Sequence, residues 1–452
     1  MSYSRIIENK LLVWKDSINR KPLIIRGARQ VGKTTVIKTF AKEYDYAISL
    51  NLEKPLDKGY FENFNNVQNL LEALLLSNNM PSSAIPKTLL FIDEIQECPK
   101  AIGMLRYFFE EIPTLHVICA GSLLEFAIKD ITNFPVGRVT FLYLHPFNFQ
   151  EYLAAHNKHL VLAKLKIIPV SETAHSILME SFHRYAIIGG MPEIIKTDIE
   201  LQQIIDLSII YESIWETYKN DVAKYTKNDT DRKIIKHIVN SAALFIDKRV
   251  TFQGFGNSNY KSREVGEAFR ALDAAKIIQI IYPTTDTTPP LKSDLKKSPK
   301  LQFLDTGLVN YSLGIQSEML SMKDMSSAYR GSIIPHLVIQ EIISLQISNS
   351  QKPNFWVREK LQSNAEVDLI YAYKTKAIPI EIKSGTTGSL KSLHQFIEST
   401  DHPYAIRMYA GPFKIETTMT PNKKPYILMN MPYYLTTMLP EYIEWFVNNH
   451  AL

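Results

Sequence analysis

Eight residues constrain this chain more than any others: Gly27-Ala28-Arg29-Gln30-Val31-Gly32-Lys33-Thr34 reads G-x-x-x-x-G-K-T. The apolar run Pro22-Leu23-Ile24-Ile25 precedes it, and Thr35-Val36-Ile37-Lys38-Thr39-Phe40 opens an amphipathic stretch after it. A strand, a glycine-bearing turn and a helix in that order is the setting in which this motif cradles phosphate. Gly27 and Gly32 allow backbone conformations closed to other residues, so successive N–H groups can converge on phosphate oxygens at a helix N-terminus. Lys33 is then placed to reach the outer phosphates, and the Thr34 hydroxyl to bind magnesium. The expected nucleotide contacts are Gly27, Ala28, Arg29, Gln30, Val31, Gly32, Lys33, Thr34 and Thr35.

A cradle of this kind needs a carboxylate partner on a neighbouring strand. Lys87-Thr88-Leu89-Leu90-Phe91-Ile92-Asp93-Glu94 supplies an apolar run ending in two acids, the pattern of a central parallel strand buried on both faces. Asp93 is expected to hold magnesium through water, and Glu94 to orient or deprotonate the attacking water. A third strand, Leu115 to Ala120, ends in Gly121-Ser122 and makes Ser122 the candidate sensor of the terminal phosphate. Arg138, in Phe134-Pro135-Val136-Gly137-Arg138, is the first cation after that strand. It is either a surface arginine in a turn or a residue that completes a neighbouring subunit's site by neutralising charge during phosphoryl transfer.

At 452 residues the chain has material for about three domains. It has no run of about 18 uncharged apolar residues and no apolar signal region after Met1, so a cytoplasmic, non-membrane protein is expected. Cys98 and Cys119 are its only cysteines, which excludes a disulfide framework and a zinc site. The net charge of +5 is unevenly spread. Lys219 to Lys300 holds 16 Lys and Arg against 9 Asp and Glu, either a footprint for a phosphate backbone or a solvated linker face.

Strands near Pro22, Ala47, Leu89, Val117 and Thr140 alternate with helices, which predicts a doubly wound α/β layer. From Asn148 to about Tyr225 the pattern is helical, broken by Gly189-Gly190-Met191-Pro192, which reads as a tight interhelical loop. Two helical stretches follow. The second starts at Ser262, puts Val265, Phe269 and Leu272 on one face, and runs on to the β-like Ile277 to Tyr282. A winged helix fits this order, serving DNA or protein contacts, although Phe252-Gln253-Gly254-Phe255-Gly256-Asn257 is a poor middle helix. Thr284 to Lys300, rich in Thr, Pro and Lys, reads as a mobile wing or linker.

Near the C-terminus, Ala365 to Tyr371 and Ala377 to Lys383 read as two strands joined around Lys374-Thr375-Lys376. Ile378, Ile380 and Ile382 share one face, so Glu381 and Lys383 share the other. A turn that sets position 368 opposite 381 adds Asp368 to that face, and a slip of one residue breaks the cluster. Two carboxylates and a lysine on adjacent strands suit metal-dependent phosphodiester cleavage. A helix from about Pro335 to Leu345 offers Glu341 as a third acid. The plainer alternative is a surface hairpin with a Glu-Lys pair.

The phosphate loop, Leu-Phe-Ile-Asp-Glu, Ala-Gly-Ser, Pro-Val-Gly-Arg, Gly-Gly-Met-Pro-Glu, Leu-Asp-Thr-Gly at 304 to 307, Glu-Val-Asp at 366 to 368 and Glu-Ile-Lys at 381 to 383 occur in this order. The chain thereby resembles AAA-type bacterial and archaeal ATPases fused to a C-terminal domain of PD-(D/E)XK nuclease fold, over roughly residues 15 to 435. The resemblance implies an α/β protein: an AAA-type P-loop core at 1–150, a helical lid at 151–225, a winged-helix-like domain and linker at 226–300, and a restriction-endonuclease-like α/β domain at 301–452. It implies an ATPase using ATP and Mg2+, with Lys33, Ser122, Glu94 and Arg138 acting in hydrolysis and Thr34 and Asp93 on the metal. Glu341, Asp368, Glu381 and Lys383 would form the nuclease-like site, with a second Mg2+ or Mn2+ on Asp368 and Glu381. DNA and further copies of the chain, in a ring or smaller assembly, are the implied partners. A nucleotide-dependent switch that binds a protein partner and does not cleave is the other reading.

Overall fold

Runs of β-branched and aliphatic residues bounded by polar turns become a parallel sheet in the first third of the chain. The computed structural model describes residues 3–122, 124, 134–201, 207–224, 228–316, 331–349, 351–359, 365–385 and 388–452. They fall into two units: Met1–Pro146 with Ala274–Lys276 and Gln346–Ser350, and Phe147–Asp273 with Ile277–Leu345 and Gln351–Leu452.

In the first unit, β1 (Leu23–Arg26), β2 (Tyr46–Asn51), β3 (Thr88–Asp93), β4 (His116–Gly121) and β5 (Thr140–Tyr143) pair in the order β2-β3-β4-β1-β5. Every pairing is parallel. β3 and β4 are buried at each position, which is why they read as unbroken apolar runs rather than as alternation. The helices Val67–Ser77 and Pro99–Glu111 cover one side with Leu70, Leu74, Ile102, Leu105 and Phe108 against Ile24, Leu90 and Ile92. Strand order reverses at β1, so the carboxyl ends of β1, β3 and β4 frame the crevice where such sheets bind ligands.

In the second unit, two motifs distant in sequence meet. Glu172–Ile188 ends at Gly189, and Asp305 caps the helix Thr306–Ser312 by accepting from Leu308 N–H at 3.2 Å. Asp305 also accepts from Gly190 N–H at 2.6 Å. The contact is so close that a Cβ on Gly307 would lie 2.0 Å from the Ile188 carbonyl oxygen. The Gly-Gly-Met-Pro break is therefore an interhelical turn with a packing partner of its own. Asn310 fastens the other side, its Nδ2 donating to the Ala186 and Ile187 carbonyls.

The helices Asp229–Ser241 and Ser262–Ala274 precede β6 (Ile278–Ile281), which pairs antiparallel with β8 (Lys300–Phe303). Val265, Phe269 and Leu272 are buried as the periodicity requires. Phe252 and Phe255 of the glycine-rich stretch both pack on Phe269, so this segment is anchored through aromatic rings in place of a regular helix. A seven-stranded sheet runs β13-β14-β12-β11-β10-β9-β7, with β7 (Pro283–Thr284), β9 (Asn354–Val357), β10 (Glu366–Tyr373), β11 (Lys376–Ile382), β12 (Tyr404–Tyr409), β13 (Lys414–Met419) and β14 (Pro425–Pro432).

The stretch from 284 to 300, expected to be a mobile linker, is instead tied down. Thr284 pairs with Trp356 in the sheet, Asp294 N–H donates to the Pro283 carbonyl at 2.7 Å, and Asn354 Nδ2 donates to Ser293 Oγ at 2.8 Å. Its prolines and threonines signal an irregular path, and hydrogen bonds from the sheet fix that path. With β7 inside the C-terminal sheet, the chain shows no separation at residue 300.

Candidate nucleotide site and the C-terminal carboxylate cluster

β1 ends at Arg26, and the helix Lys33–Phe40 begins seven residues later with Gly32 at φ 95° as its N-cap. Gly27 lies against the backbone after β5, where a Cβ would stand 2.2 Å from the Leu144 carbonyl oxygen. The loop therefore closes tightly and aims the first N–H groups of the helix at the crevice. Arg5, 5% exposed, pins it from below by donating to the carbonyls of Val31 at 3.2 Å and His145 at 2.6 Å. No motif announces Arg5 in the sequence.

Lys33 is 8% exposed, and its Nζ donates to the carbonyls of Gly27 at 3.0 Å and Ala28 at 2.8 Å. Burial pushes its ammonium down to about 8, against the pull of Glu94 and Asp93. Thr34 Oγ1 donates to Asp93 Oδ2 at 2.8 Å, which joins the phosphate loop to the end of β3 as the motif spacing requires. Burial raises the Asp93 carboxyl, opposed by the Thr34 hydrogen bond. A hydroxyl and a carboxylate oxygen held side by side are hard donors of the kind magnesium takes. The donor set fits that ion.

Glu94 adopts φ 50°, ψ 47° and sends its N–H to Asp93 Oδ1 at 3.1 Å. That left-handed turn separates the two acids, one facing Thr34 and the other facing Gln96. Gln96 Nε2 donates to Glu94 Oε2 at 2.6 Å, an orienting contact that sequence reasoning missed; a polar side chain two residues after the acid pair was its only signal. Ser122, at the end of β4, is 5% exposed, and its Oγ has no hydrogen-bond partner among the described residues. Gln96 Oε1 is also buried without one. Polar atoms orphaned inside a protein call for a ligand or solvent, and these two sit at the carboxyl ends of β3 and β4. Arg29 pairs with Glu53 at 3.4 Å. Arg138 turns the other way: its Nε donates to Glu110 Oε1 at 2.8 Å, and Arg106 shares that carboxylate. The structure brings together Lys33, Thr34, Asp93 and Glu94, and holds Arg138 on the helix Pro99–Glu111.

The C-terminal hairpin takes the register on which the expected cluster depended. Leu369 pairs with Ile380 and Tyr373 with Lys376, which sets Asp368 across from Glu381. Asp368 Oδ2 accepts from Ile382 N–H at 2.8 Å, and Lys383 Nζ meets Glu381 Oε1 at 2.6 Å. Burial raises both carboxyls.

Glu341 does not join them. It is 0% exposed, with Oε1 accepting from Tyr185 OH at 2.5 Å and Oε2 from Phe149 N–H at 2.9 Å. Burial pushes this carboxyl up to about 8. The helix Ile333–Ser344 is apolar nearly all round, so its sequence phase gave no face on which to place Glu341. The acids actually beside Asp368 are Asp247 and Glu366, gathered by Lys300 at 2.8 Å from each and 3.9 Å from Asp368. Burial pulls the Lys300 ammonium down, but Asp247, Asp368 and Glu366 together hold it above its usual range. Among the described residues, no group of three or more His, Cys, Asp or Glu is arranged to hold a metal ion.

Residues 19–153 match the family model described as an AAA domain. Residues 179–319 match a domain of unknown function, DUF8612, and residues 330–425 another, DUF4143. No curated protein matches the chain. Among solved structures it is similar to a signal transduction ATPase with numerous domains, bearing a tetratricopeptide repeat sensor, from Pyrococcus horikoshii. That match has 12% identity and TM-score 0.28, covering 76% of this chain and 49% of that one. The chain thus spans about half of the Pyrococcus protein's length. It is also similar to AMPPCP-bound DnaA from Aquifex aeolicus, at 11% identity and TM-score 0.26 over 59% of this chain and 86% of that one. The Aeropyrum pernix ORC1 protein in complex with DNA matches at 12% identity and TM-score 0.28 over 71% and 95%. Residues 19–153 are an AAA-type P-loop ATPase domain. No described helix is long and apolar enough to cross a membrane.

Proposed function

We propose that this chain is a magnesium-dependent ATPase whose nucleotide cycle is coupled to DNA binding. The observation that carries the first part is the convergence of Lys33, Thr34, Asp93 and Glu94 at the carboxyl edge of one parallel sheet. Thr34 and Asp93 would hold Mg2+, which supplies charge neutralisation on the phosphates when bound. Lys33, shielded in the loop, gives its ammonium to the outer phosphates. Glu94, steered by the Gln96 amide, orients the attacking water and accepts its proton as the water oxygen bonds to the terminal phosphorus. The bond from that phosphorus to the bridging oxygen breaks, and ADP and phosphate leave. Ser122 contacts the terminal phosphate. Arg138, released from Glu110 at a subunit contact, neutralises developing charge in trans, which makes an ATP-promoted oligomer part of the reading.

The DNA part rests on the charge excess between Lys219 and Lys300 and on Arg263, whose side chain is 90% exposed at the start of the Ser262–Ala274 helix. The helices and the β6–β8 pair of that region have the order of a winged helix. ATP turnover with and without duplex DNA, across a salt series, tests it. Turnover stimulated by DNA, with stimulation falling steeply as salt rises, is expected; turnover indifferent to DNA removes the coupling. One observation favours a second reading, a nucleotide-controlled switch without cleavage: the C-terminal carboxylates are already paired with Lys300 and Lys383.

A further inference from the structure

A PD-(D/E)XK domain that cuts DNA needs a divalent metal on carboxylates corresponding to Asp368 and Glu381, and the residues around Asp368 do not fit one. Alternation along β10 puts Glu366 and Asp368 on one face of the strand, and Asp247 approaches from a separate loop. Into their midst comes Lys300 from β8, 12% exposed in its side chain, 2.8 Å from Asp247, 2.8 Å from Glu366 and 3.9 Å from Asp368. Its ammonium also lies 5.3 Å from the centre of the Phe355 ring, which walls the site. Asp368 spends its other oxygen on Ile382 N–H.

The pocket bordered by Asp247, Lys300, Phe355 and Asp368 offers about 20 Å³, where one water needs roughly 10–15 Å³. Magnesium demands octahedral coordination and keeps several of its waters, and the Lys300 ammonium already stands among the oxygens it would need. Glu381 is 6% exposed, its Oε1 engaged by Lys383 and its Oε2 buried without a hydrogen-bond partner among the described residues.

We infer that Lys300 is the resident cation of this cluster: its ammonium takes the place that a nuclease of this fold gives to a divalent metal, so the chain binds no magnesium or manganese there. Lys300 also ties three segments together, the loop of Asp247, the strand β8 and the sheet strand β10. By this account the domain carries an ion cluster where a cutting site would be. The inference stands apart from the ATPase reading, because it concerns metal binding without nucleotide at a different place.

The test is Mn2+ binding to the full-length chain without nucleotide, followed by loss of the free-ion paramagnetic resonance signal. An Asp93→Asn background removes the metal ligand of the phosphate loop. In that background no Mn2+ binding is expected through the millimolar range, and adding Asp368→Asn changes nothing. Lys300→Ala in the same background is expected to gain one Mn2+ per chain, and Lys300→Arg to gain none. Mn2+ binding in the background that disappears with Asp368→Asn overturns the inference, as does a folded Lys300→Ala protein that gains no site. If Lys300→Ala does not fold, the comparison with and without Asp368→Asn decides alone.

Discussion

Raising the pH should weaken ATP binding in a way that reports directly on Lys33. Burial holds its ammonium near 8 in the chain, where an ordinary lysine sits at 10.5. Phosphate oxygens favour the charged form, so binding draws the group back toward its ordinary value and takes up a proton. At a pKa of about 8 the uptake is about 0.1 proton near pH 7, about 0.5 near pH 8 and about 0.9 near pH 9, and the dissociation constant rises about tenfold per unit above pH 8. The same shift carries a stability sign. Between 8 and 10.5 the unfolded chain binds more protons than the folded one, so folding stability rises with pH through that window, by about 3 kcal/mol in full. Calorimetry of a non-hydrolysable ATP analogue in two buffers of different ionisation enthalpy measures the uptake. A Lys33→Met chain should show none. Wild-type binding without proton uptake near pH 8.5 refutes the claim that this buried lysine meets the phosphates.

Three other perturbations follow from particular contacts. Gln96→Leu removes the amide that steers Glu94, a charge-assisted hydrogen bond worth about 1.5–3 kcal/mol, so kcat should fall about 10–100-fold while ATP affinity stays unchanged; a parallel loss of affinity would make Gln96 merely structural. Arg138→Ala should lower turnover, leave ATP binding intact and remove any ATP-promoted oligomer seen by light scattering; full activity in a monomer contradicts a role in trans. Glu341 carries a folded pKa of about 8 against 4.5, so the stability its burial permits is present at low pH and lost as pH rises from 4.5 through 8, by about 5 kcal/mol across the window. Glu341→Gln should flatten that loss in urea unfolding at pH 6 and pH 8, since a flipped amide can accept from Phe149 N–H and donate to Tyr185 OH, which also bonds the Phe147 carbonyl; an unchanged pH dependence contradicts the assignment.

The nucleotide site was legible because its parts are local. A glycine-rich turn, an apolar strand and an acid pair each declare themselves within eight residues, and burial of β3 on both faces leaves an unmistakable run. The Asp368–Glu381 juxtaposition was legible in part: alternation put Glu381 and Lys383 on one face, while the pairing of 368 with 381 hung on a turn whose register the sequence left open, since β11 is buried on both faces. What escaped were the contacts made by chain distant in sequence. Lys300 and Asp247 reach Asp368 from 68 and 121 positions away, and nothing in Ser298-Pro299-Lys300 marks that lysine as buried. Arg5 escaped for the same reason. Glu341 went wrong because a helix buried on all sides has no polar stripe to orient it. The 284–300 strap misled because its composition reports the absence of regular structure, while its hydrogen bonds come from Asn354 and Trp356.

The most direct measurement for the whole account is steady-state ATP hydrolysis by the wild-type and Glu94→Gln chains, set beside their affinity for ATP. Magnesium-dependent turnover in the wild type is predicted, with a loss of about 100-fold or more in Glu94→Gln at unchanged ATP affinity. Equal turnover in the two chains, or an absence of ATP binding in both, contradicts the site assembled here from Lys33, Thr34, Asp93 and Glu94.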